Sequence, residues 1–293
     1  MDTTELMSRA RSIDRSGITP DDILLSDKVV LVTGGGGGIG QGIAIAAARF
    51  GADVIIIDIV AERCADTQDA IKRSGRRSLG IQCDVTDIDA LRRAIMEGAT
   101  AFDGIDVLVN NAGGSRSGSF LTMPEASMRK HVDLNLVSML VASQEVSNLM
   151  IEQGRGGAIV NVASIEASRA APMYAVYAAC KAAMVNFTKS LALEVSAHGI
   201  RVNCIAPDHT ITPGMRGNRS GPVTPQSWAD SDESWSKLIP LGREGLADEC
   251  AGAAIWLAST MSEYVTGVTI SVDGGTSAAA GWLRSADGWT LNP

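Results

Sequence analysis

Apolar positions in this chain come in short runs, each followed by a longer stretch of mixed apolar and polar residues at helical spacing. The runs fall at 29–33, 53–58, 78–84, 107–110, 158–163, 201–205 and 268–272, and most are rich in Val and Ile. Short β-branched runs of this kind suit strands buried on both faces. The stretches at 39–50, 61–74, 87–102, 124–152, 175–198 and 247–259 suit helices covering such a sheet. Strands alternating with helices predict an α/β chain: a doubly wound parallel sheet of about seven strands, with helices on both faces joined by right-handed crossovers. No fixed-period repeat and no second domain interrupts the pattern, so 1–293 reads as a single domain. Residues 1–26 form a weakly amphipathic N-terminal extension, and 278–293 form a tail. The long irregular stretch, 208–241, is rich in Pro, Gly and Ser, and loops of that length in compact domains usually bind ligands or cover sites.

Composition narrows the picture. Hydrophobic residues make up 45% of the chain but aromatics only 4%, so small aliphatics fill the core. A formal charge of −8 argues against nucleic acid and against an anionic membrane surface as partners. No apolar run reaches membrane-spanning length, and the beginning Met1-Asp2-Thr3-Thr4-Glu5 lacks the basic and apolar parts of a signal peptide, which predicts a cytoplasmic protein. Cys64, Cys83, Cys180, Cys204 and Cys250 are odd in number and scattered, as reduced and mostly buried thiols would be. His131, His198 and His209 have no ligand spacing, so no metal is expected.

Chemistry enters at the glycine cluster between the first strand and an alanine-rich helix, Thr33-Gly34-Gly35-Gly36-Gly37-Gly38-Ile39-Gly40. Glycine allows a tight turn and lets a pyrophosphate approach main-chain N–H groups, while the helix N-terminus supplies further donors and a positive dipole end. Asp58 ends the second strand, about 20 residues on, where a carboxylate can accept hydrogen bonds from an adenosine ribose. It would repel a 2′-phosphate, and no Lys or Arg lies in the glycine loop to attract one. The expected cofactor is NAD.

With these features in place the chain resembles the short-chain dehydrogenase/reductase family, on its Tyr-x-x-x-Lys branch and with a single-domain Rossmann fold. Thr33-Gly34-x-x-x-Gly38-Ile39-Gly40 matches the family's cofactor loop, and Asp84-Val85 stands where the family binds adenine. Asn110-Asn111-Ala112-Gly113 follows the fourth strand, Asn135 matches an active-site Asn, Ser164 follows the fifth strand, and Tyr177 and Lys181 complete the Tyr-x-x-x-Lys pattern. The resemblance covers about residues 27–275. It implies cofactor contacts at Gly34, Gly38, Ile39, Gly40, Asp58, Asp84, Val85, Asn111, Ala112, Gly113, Tyr177, Lys181, Pro207, Thr210 and Thr212. Where the family usually has Pro-Gly, this chain has Pro207-Asp208, and Asp tolerates positive φ less well than Gly.

Tyr177 and Lys181 stand one helical turn apart and share a face, so the ammonium is expected to lower the phenol pKa and let Tyr177 exchange a proton with a substrate oxygen. Ser164 would hydrogen-bond that oxygen, and Asn135 would anchor a proton-relay water. Tyr174, seven residues before Lys181, has the spacing of the family's enoyl-reductase branch. The intact Gly38-Ile39-Gly40 and the presence of Ser164 favour Tyr177, leaving Tyr174 to line the substrate pocket. The expected reaction is hydride transfer between a secondary alcohol or its ketone and NAD. A 3-oxoacyl thioester reductase and a catalytically silent NAD-sensing regulator are the competing readings. Met173, Met215, Trp228 and Trp235 suggest a medium-sized apolar or cyclic alcohol. The resemblance also implies a homotetramer, with the helices at 124–152 and 175–198 pairing across two-fold axes through residues such as Ala178, Ala182, Ala183, Leu191 and Val195. Trp282 and Trp289 in the tail are expected at the second contact.

Overall fold

The computed structural model describes residues 17–212, 233–285 and 288–291. Most of the N-terminal extension, the middle of the 208–241 loop with Met215 and Trp228, and parts of the tail lie outside the described residues. From the first strand, elements alternate strictly: β1 (Val29–Thr33), α1 (Gly38–Arg49), β2 (Asp53–Asp58), α2 (Ala61–Lys72), β3 (Ser78–Gln82), α3 (Ile88–Phe102) and β4 (Val107–Asn110). A broken helix follows, comprising α4 (Glu125–Val132), a π-helical turn (Asp133–Val137) and α5 (Ser138–Gln153). Then come β5 (Gly157–Val162), α6 (Ala175–Val195), β6 (Ile200–Pro207), β7 (Thr210–Ile211), α7 (Glu233–Leu238), β8 (Gly245–Leu246), α8 (Ala247–Ala258) and β9 (Thr269–Val272).

Seven of these strands form one parallel sheet in the order β3-β2-β1-β4-β5-β6-β9, as the alternating pattern predicts. Chain order reverses between β1 and β4, so a crevice opens outside their carboxyl ends. Side chains alternate between faces even though both faces are buried. Val30 and Val32 pack in one core with Ile43 and Ala47 of α1 and Ala254 and Ile255 of α8, while Val29 and Leu31 join the opposite core with Ile95 of α3, Val146 of α5 and Val195 of α6. Among the described residues no helix is long and apolar enough to cross a membrane. All five cysteines are buried and unpaired.

The one helix expected over 124–152 is instead interrupted at Asp133–Val137. A π turn inserts one residue per turn without breaking the rod, which a 3.6-residue period cannot register. Its effect is local: Asn135 turns fully inward, with no exposed surface. The tail also carries structure that the sequence reading lacked. The short helix α9 (Thr276–Ala279) leads to an antiparallel hairpin of β10 (Leu283–Ser285) and β11 (Gly288–Thr290). Arg284 lies over the Trp289 ring at 5.0 Å and donates to the Pro240 carbonyl. Of the residues expected on the outer face of α6, Val195 is buried and Leu191 packs on the core, whereas Ala182 is exposed and Leu193 is 77% exposed. The helix turns its inner stripe to the sheet, and its outer stripe runs one position away from that expected.

Candidate active site

The crevice is held open by a knot at the ends of β1 and β4. Thr33 Oγ1 accepts from the amides of Asn111 and Ala112, each at 3.1 Å, and Asn111 Nδ2 donates to the carbonyls of Thr33 and Gly34. The glycine loop presses directly against this knot. A Cβ at Gly40 would lie 2.2 Å from the Gly34 oxygen and 2.3 Å from Asn111 Nδ2, so no other residue fits there. Gly34 and Gly38 take φ of +63° and +56°, and a Cβ on Gly38 would touch Thr212 at 3.2 Å. Helix α1 starts from Gly37 with no side-chain cap on its first N–H groups. Ile39 packs against the core beneath.

At the adenosine end Asp58 is almost fully buried. Its Oδ2 accepts from the Gly36 amide and its Oδ1 from the Val60 amide, both at 3.0 Å. The carboxylate therefore fixes the glycine loop as well as offering lone pairs to a ribose. Asp84 closes a local turn by accepting from the amide and hydroxyl of Thr86, and Val85 beside it is buried. The sequence reading missed Arg63. Its Cβ would meet a Cβ on Gly36 at 2.7 Å, and its Cδ lies 3.9 Å from one on Gly37, so its stem runs along the loop beside Asp58. An Arg five residues past a strand-ending Asp, on the first turns of α2, was the available signal.

At the other end three elements converge. Ser164 caps the short 3-10 turn Ile165–Ala167, accepting from the Glu166 amide at 3.2 Å, and its hydroxyl also hydrogen-bonds Tyr177. Tyr177 sits one turn into α6, and Lys181 one turn further is buried, donating from Nζ to the Val162 carbonyl at 2.7 Å. Nζ lies 5.6 Å from the Tyr177 ring centroid. Asn135 Oδ1 accepts from the Gly114 amide, and its Nδ2 donates to the carbonyls of Gly114 and His131, all at about 3 Å. A Cβ on Gly113 would stand 2.9 Å from Asn135 Oδ1 and 3.5 Å from Lys181 Nζ, so both groups border one point. Tyr174, more than a third exposed, occupies the position just before α6.

The protonation pattern differs from that expected. Burial raises the Tyr177 phenol above its ordinary value; the Ser164 hydrogen bond pulls it part of the way back, and the Glu166 charge raises it further. Lys181 does not hold the phenol down here, because its ammonium is turned to Val162 and is itself desolvated, with its pKa lowered from 10.5 to about 8 by burial.

The loop after β6 also departs from expectation. Pro207 ends the strand opposite Val272, but Asp208 does not take a left-handed φ, so the turn does not need glycine. The Thr210 hydroxyl donates to the Asp208 carbonyl and contacts Cys250, which leaves its side chain inside the fold rather than at the crevice. Thr212 is the one that reaches the glycine loop. Trp235 stacks on His209 with ring centroids 4.0 Å apart. Met173 has φ of +71°, and its carbonyl accepts from Gly118.

Comparison with known proteins agrees with this arrangement. Residues 34–277 match a family model described as enoyl-(acyl carrier protein) reductase. The chain belongs to the short-chain dehydrogenase/reductase family. It is similar to 2-dehydro-3-deoxy-D-gluconate 5-dehydrogenase of Dickeya dadantii, with 37% identity over 253 residues, 86% of this chain and 96% of that one. It is also similar to the 3-oxoacyl-[acyl-carrier-protein] reductase FabG of Chlamydia muridarum, with 39% identity over 256 residues, 86% of this chain and 98% of that one. Among solved structures, a 7α-hydroxysteroid dehydrogenase complexed with NADH and 7-oxo glycochenodeoxycholic acid superposes with a TM-score of 0.80 at 31% identity, covering 88% of this chain and 98% of that one. These relatives are oxidoreductases, and this member of the family is one too.

A nicotinamide dinucleotide fits the residues present. The Gly34–Gly40 loop leaves no room for a Cβ where backbone must lie close, and the uncapped start of α1 offers N–H groups to phosphate. The buried lysine makes the site measurable without any ligand. Between pH 8 and 10.5 the unfolded chain keeps the Lys181 proton that the native chain has lost, so native stability rises with pH in that window; below it both states hold the proton and the slope vanishes. Lys181→Met should lack this rise. Urea unfolding of both proteins at pH 7.5 and 9.5 should show the wild type gaining roughly 2 kcal/mol relative to the variant, and a gap independent of pH would refute the burial of the charge.

Proposed function

We propose that this protein transfers hydride between a secondary alcohol, or the matching ketone, and NAD, with Tyr177 as the acid/base. The supporting observation is the convergence of Ser164, Tyr177 and Lys181: the Ser164 hydroxyl bonds the phenol, and the Lys181 ammonium lies beneath the same ring. In the oxidation direction the substrate hydroxyl rests between Ser164 and Tyr177 and gives its proton to the tyrosine oxygen. Ser164 then donates to the carbonyl oxygen that forms. Bound nicotinamide supplies the hydride acceptor or donor. Gly34, Gly38, Ile39, Gly40, Asn111, Ala112, Gly113, Pro207, Thr210 and Thr212 would hold the cofactor along the crevice, the last three at its nicotinamide end, with Thr210 acting through its backbone. Asp58 would bind its ribose, and Asp84 and Val85 its adenine. Lys181, poised near pH 8, carries charge to the Tyr177 ring and holds the nicotinamide ribose. Asn135 clamps Gly114, and its remaining Oδ1 lone pair faces the point beside Lys181 where a relay water would sit.

The reading as a 3-oxoacyl thioester reductase draws support from the FabG likeness. An acidic carrier protein, however, would meet a chain of charge −8. A silent sensor is disfavoured by the presence of all three reactive side chains. A cytoplasmic homotetramer remains the proposed form. The exposed Leu193 on the outer face of α6 and the half-exposed Trp282 and Trp289 of the tail hairpin are apolar surfaces that such contacts would cover.

Tyr177→Phe should lose roughly 10²-fold or more in turnover, the usual worth of a positioned acid/base, while NAD binding followed by fluorescence persists. Near-normal turnover would move the role to Tyr174. Asp58 should exclude NADP by repelling its 2′-phosphate. In Asp58→Ala the exposed Arg63 remains beside the ribose site, so the variant should gain NADP activity and not merely lose NAD activity. Equal kcat/KM for the two cofactors in the wild type would defeat the preference.

A further inference from the structure

A charged cluster stands beside Tyr177 that proton and hydride transfer do not use. It occupies the carboxyl ends of β5, β6 and β9, on the side of the crevice away from the adenosine end. Glu166 lies in the turn that Ser164 caps, and its charge acts on the Tyr177 phenol. Arg169 grips both oxygens of that carboxylate, Nη2 to Oε1 at 2.8 Å and Nε to Oε2 at 3.3 Å, and reaches Asp208 Oδ1 at 3.5 Å. Asp273 adds its field to Arg169, although its own oxygens are taken by the amides of Gly275 and Ser277.

The donor and acceptor inventory of this cluster is one-sided. Arg169 is committed to two carboxylates. The Asp208 side chain is only 6% exposed, and its Oδ2 is buried with no hydrogen-bond partner. A buried carboxylate oxygen without a donor is costly, and native structures retain one only where something else repays it. What the wall lacks is therefore O–H or N–H donors, and it carries three carboxylates to one guanidinium. An incoming carboxylate would add repulsion, and an apolar group would leave Asp208 Oδ2 unsatisfied. Asp208 is also the residue that stands where the family usually has glycine. Its backbone conformation did not require glycine, so what it brings to this position is the side chain.

From this we infer that the substrate is a neutral polyol, whose reacting hydroxyl meets Ser164 and Tyr177 while a neighbouring hydroxyl donates to the carboxylates of Asp208 and Glu166. The inference rests on the dehydrogenase reading above and adds the substrate class to it. A site built to accept hydroxyl donors rejects analogues that lack them far more strongly than an apolar pocket rejects an added hydroxyl.

The test is NAD reduction by the full-length protein against three panels: linear four- to six-carbon polyols, the corresponding aldonic acids, and apolar secondary alcohols such as cyclohexanol and 2-octanol. Polyols should exceed both other panels by at least 10-fold in kcat/KM. In Asp208→Asn and Glu166→Gln, the ratio of polyol to apolar-alcohol kcat/KM should fall about 10-fold, carried mainly by KM. Circular dichroism confirms that the variants fold, and the wild-type panel stands alone if one does not. Preference for apolar alcohols or aldonates would overturn the polyol assignment and leave the dehydrogenase intact. An unchanged ratio in both folded variants would overturn the role of the two carboxylates. Absence of reduction with every panel, with NAD still bound, would overturn the dehydrogenase reading itself and the polyol assignment with it.

Discussion

The structure depends first on the contact between the Thr33 hydroxyl and the two amides that follow β4. Parallel neighbours normally continue their ladder until both strands end. Here Thr33 Oγ1 takes the amides of Asn111 and Ala112, and Asn111 returns two hydrogen bonds to the carbonyls of Thr33 and Gly34. The two chains are thereby tied at the rim and sent to opposite faces, one into the glycine loop and the other toward Asn135. Gly40 is locked against the same knot by steric exclusion. Asp58 then fastens the far side of the loop through the Gly36 amide. A loop of five consecutive glycines would ordinarily be the least ordered part of a domain. It is held at both sides by charge-assisted or multiply bonded contacts, so its backbone donors are aimed before any ligand arrives, which lowers the cost of binding.

A second polar chain runs beneath the reactive end. Asn110 Nδ2 donates to Asn161 Oδ1 and Ser143 Oγ, and Asn161 Nδ2 donates to Thr188 Oγ1, each at 2.9 Å. This links β4 and β5 to α5 and α6 inside the core. Buried networks of this kind fix one packing arrangement, because any slip would strand a polar group away from water. The registration of α6 against β5 in turn decides where Tyr177 and Lys181 project, and the Val162 carbonyl that holds Lys181 belongs to the same strand. The burial that makes the positions exact also raises the phenol and depresses the ammonium. The reactive pair is thus poised by desolvation at least as much as by mutual attraction.

Strands, helices and their alternation were legible from the chain because both faces of the sheet demand apolar residues at period two, and the covering helices demand them near period 3.6. The Gly34–Gly40 loop, Asp58, Ser164, Tyr177 and Lys181 could also be named, since their residue types and order carry the chemistry. Sequence order does not encode the direction of a side chain, and that is where the readings diverged. The π turn that buries Asn135, the inward Thr210, the Arg63 stem along the glycine loop and the ordinary φ of Asp208 all depend on contacts between segments far apart in the chain. What the sequence determined by itself was the architecture and the identity of the reactive groups, because burial periodicity and residue chemistry are local properties. What only the tertiary structure decided was which of those groups are already satisfied and which are left wanting a partner. Hydrogen-bond valence and desolvation are settled by neighbours, and Asp208 Oδ2 acquires its unmet acceptor only when β5, β6 and β9 are brought together.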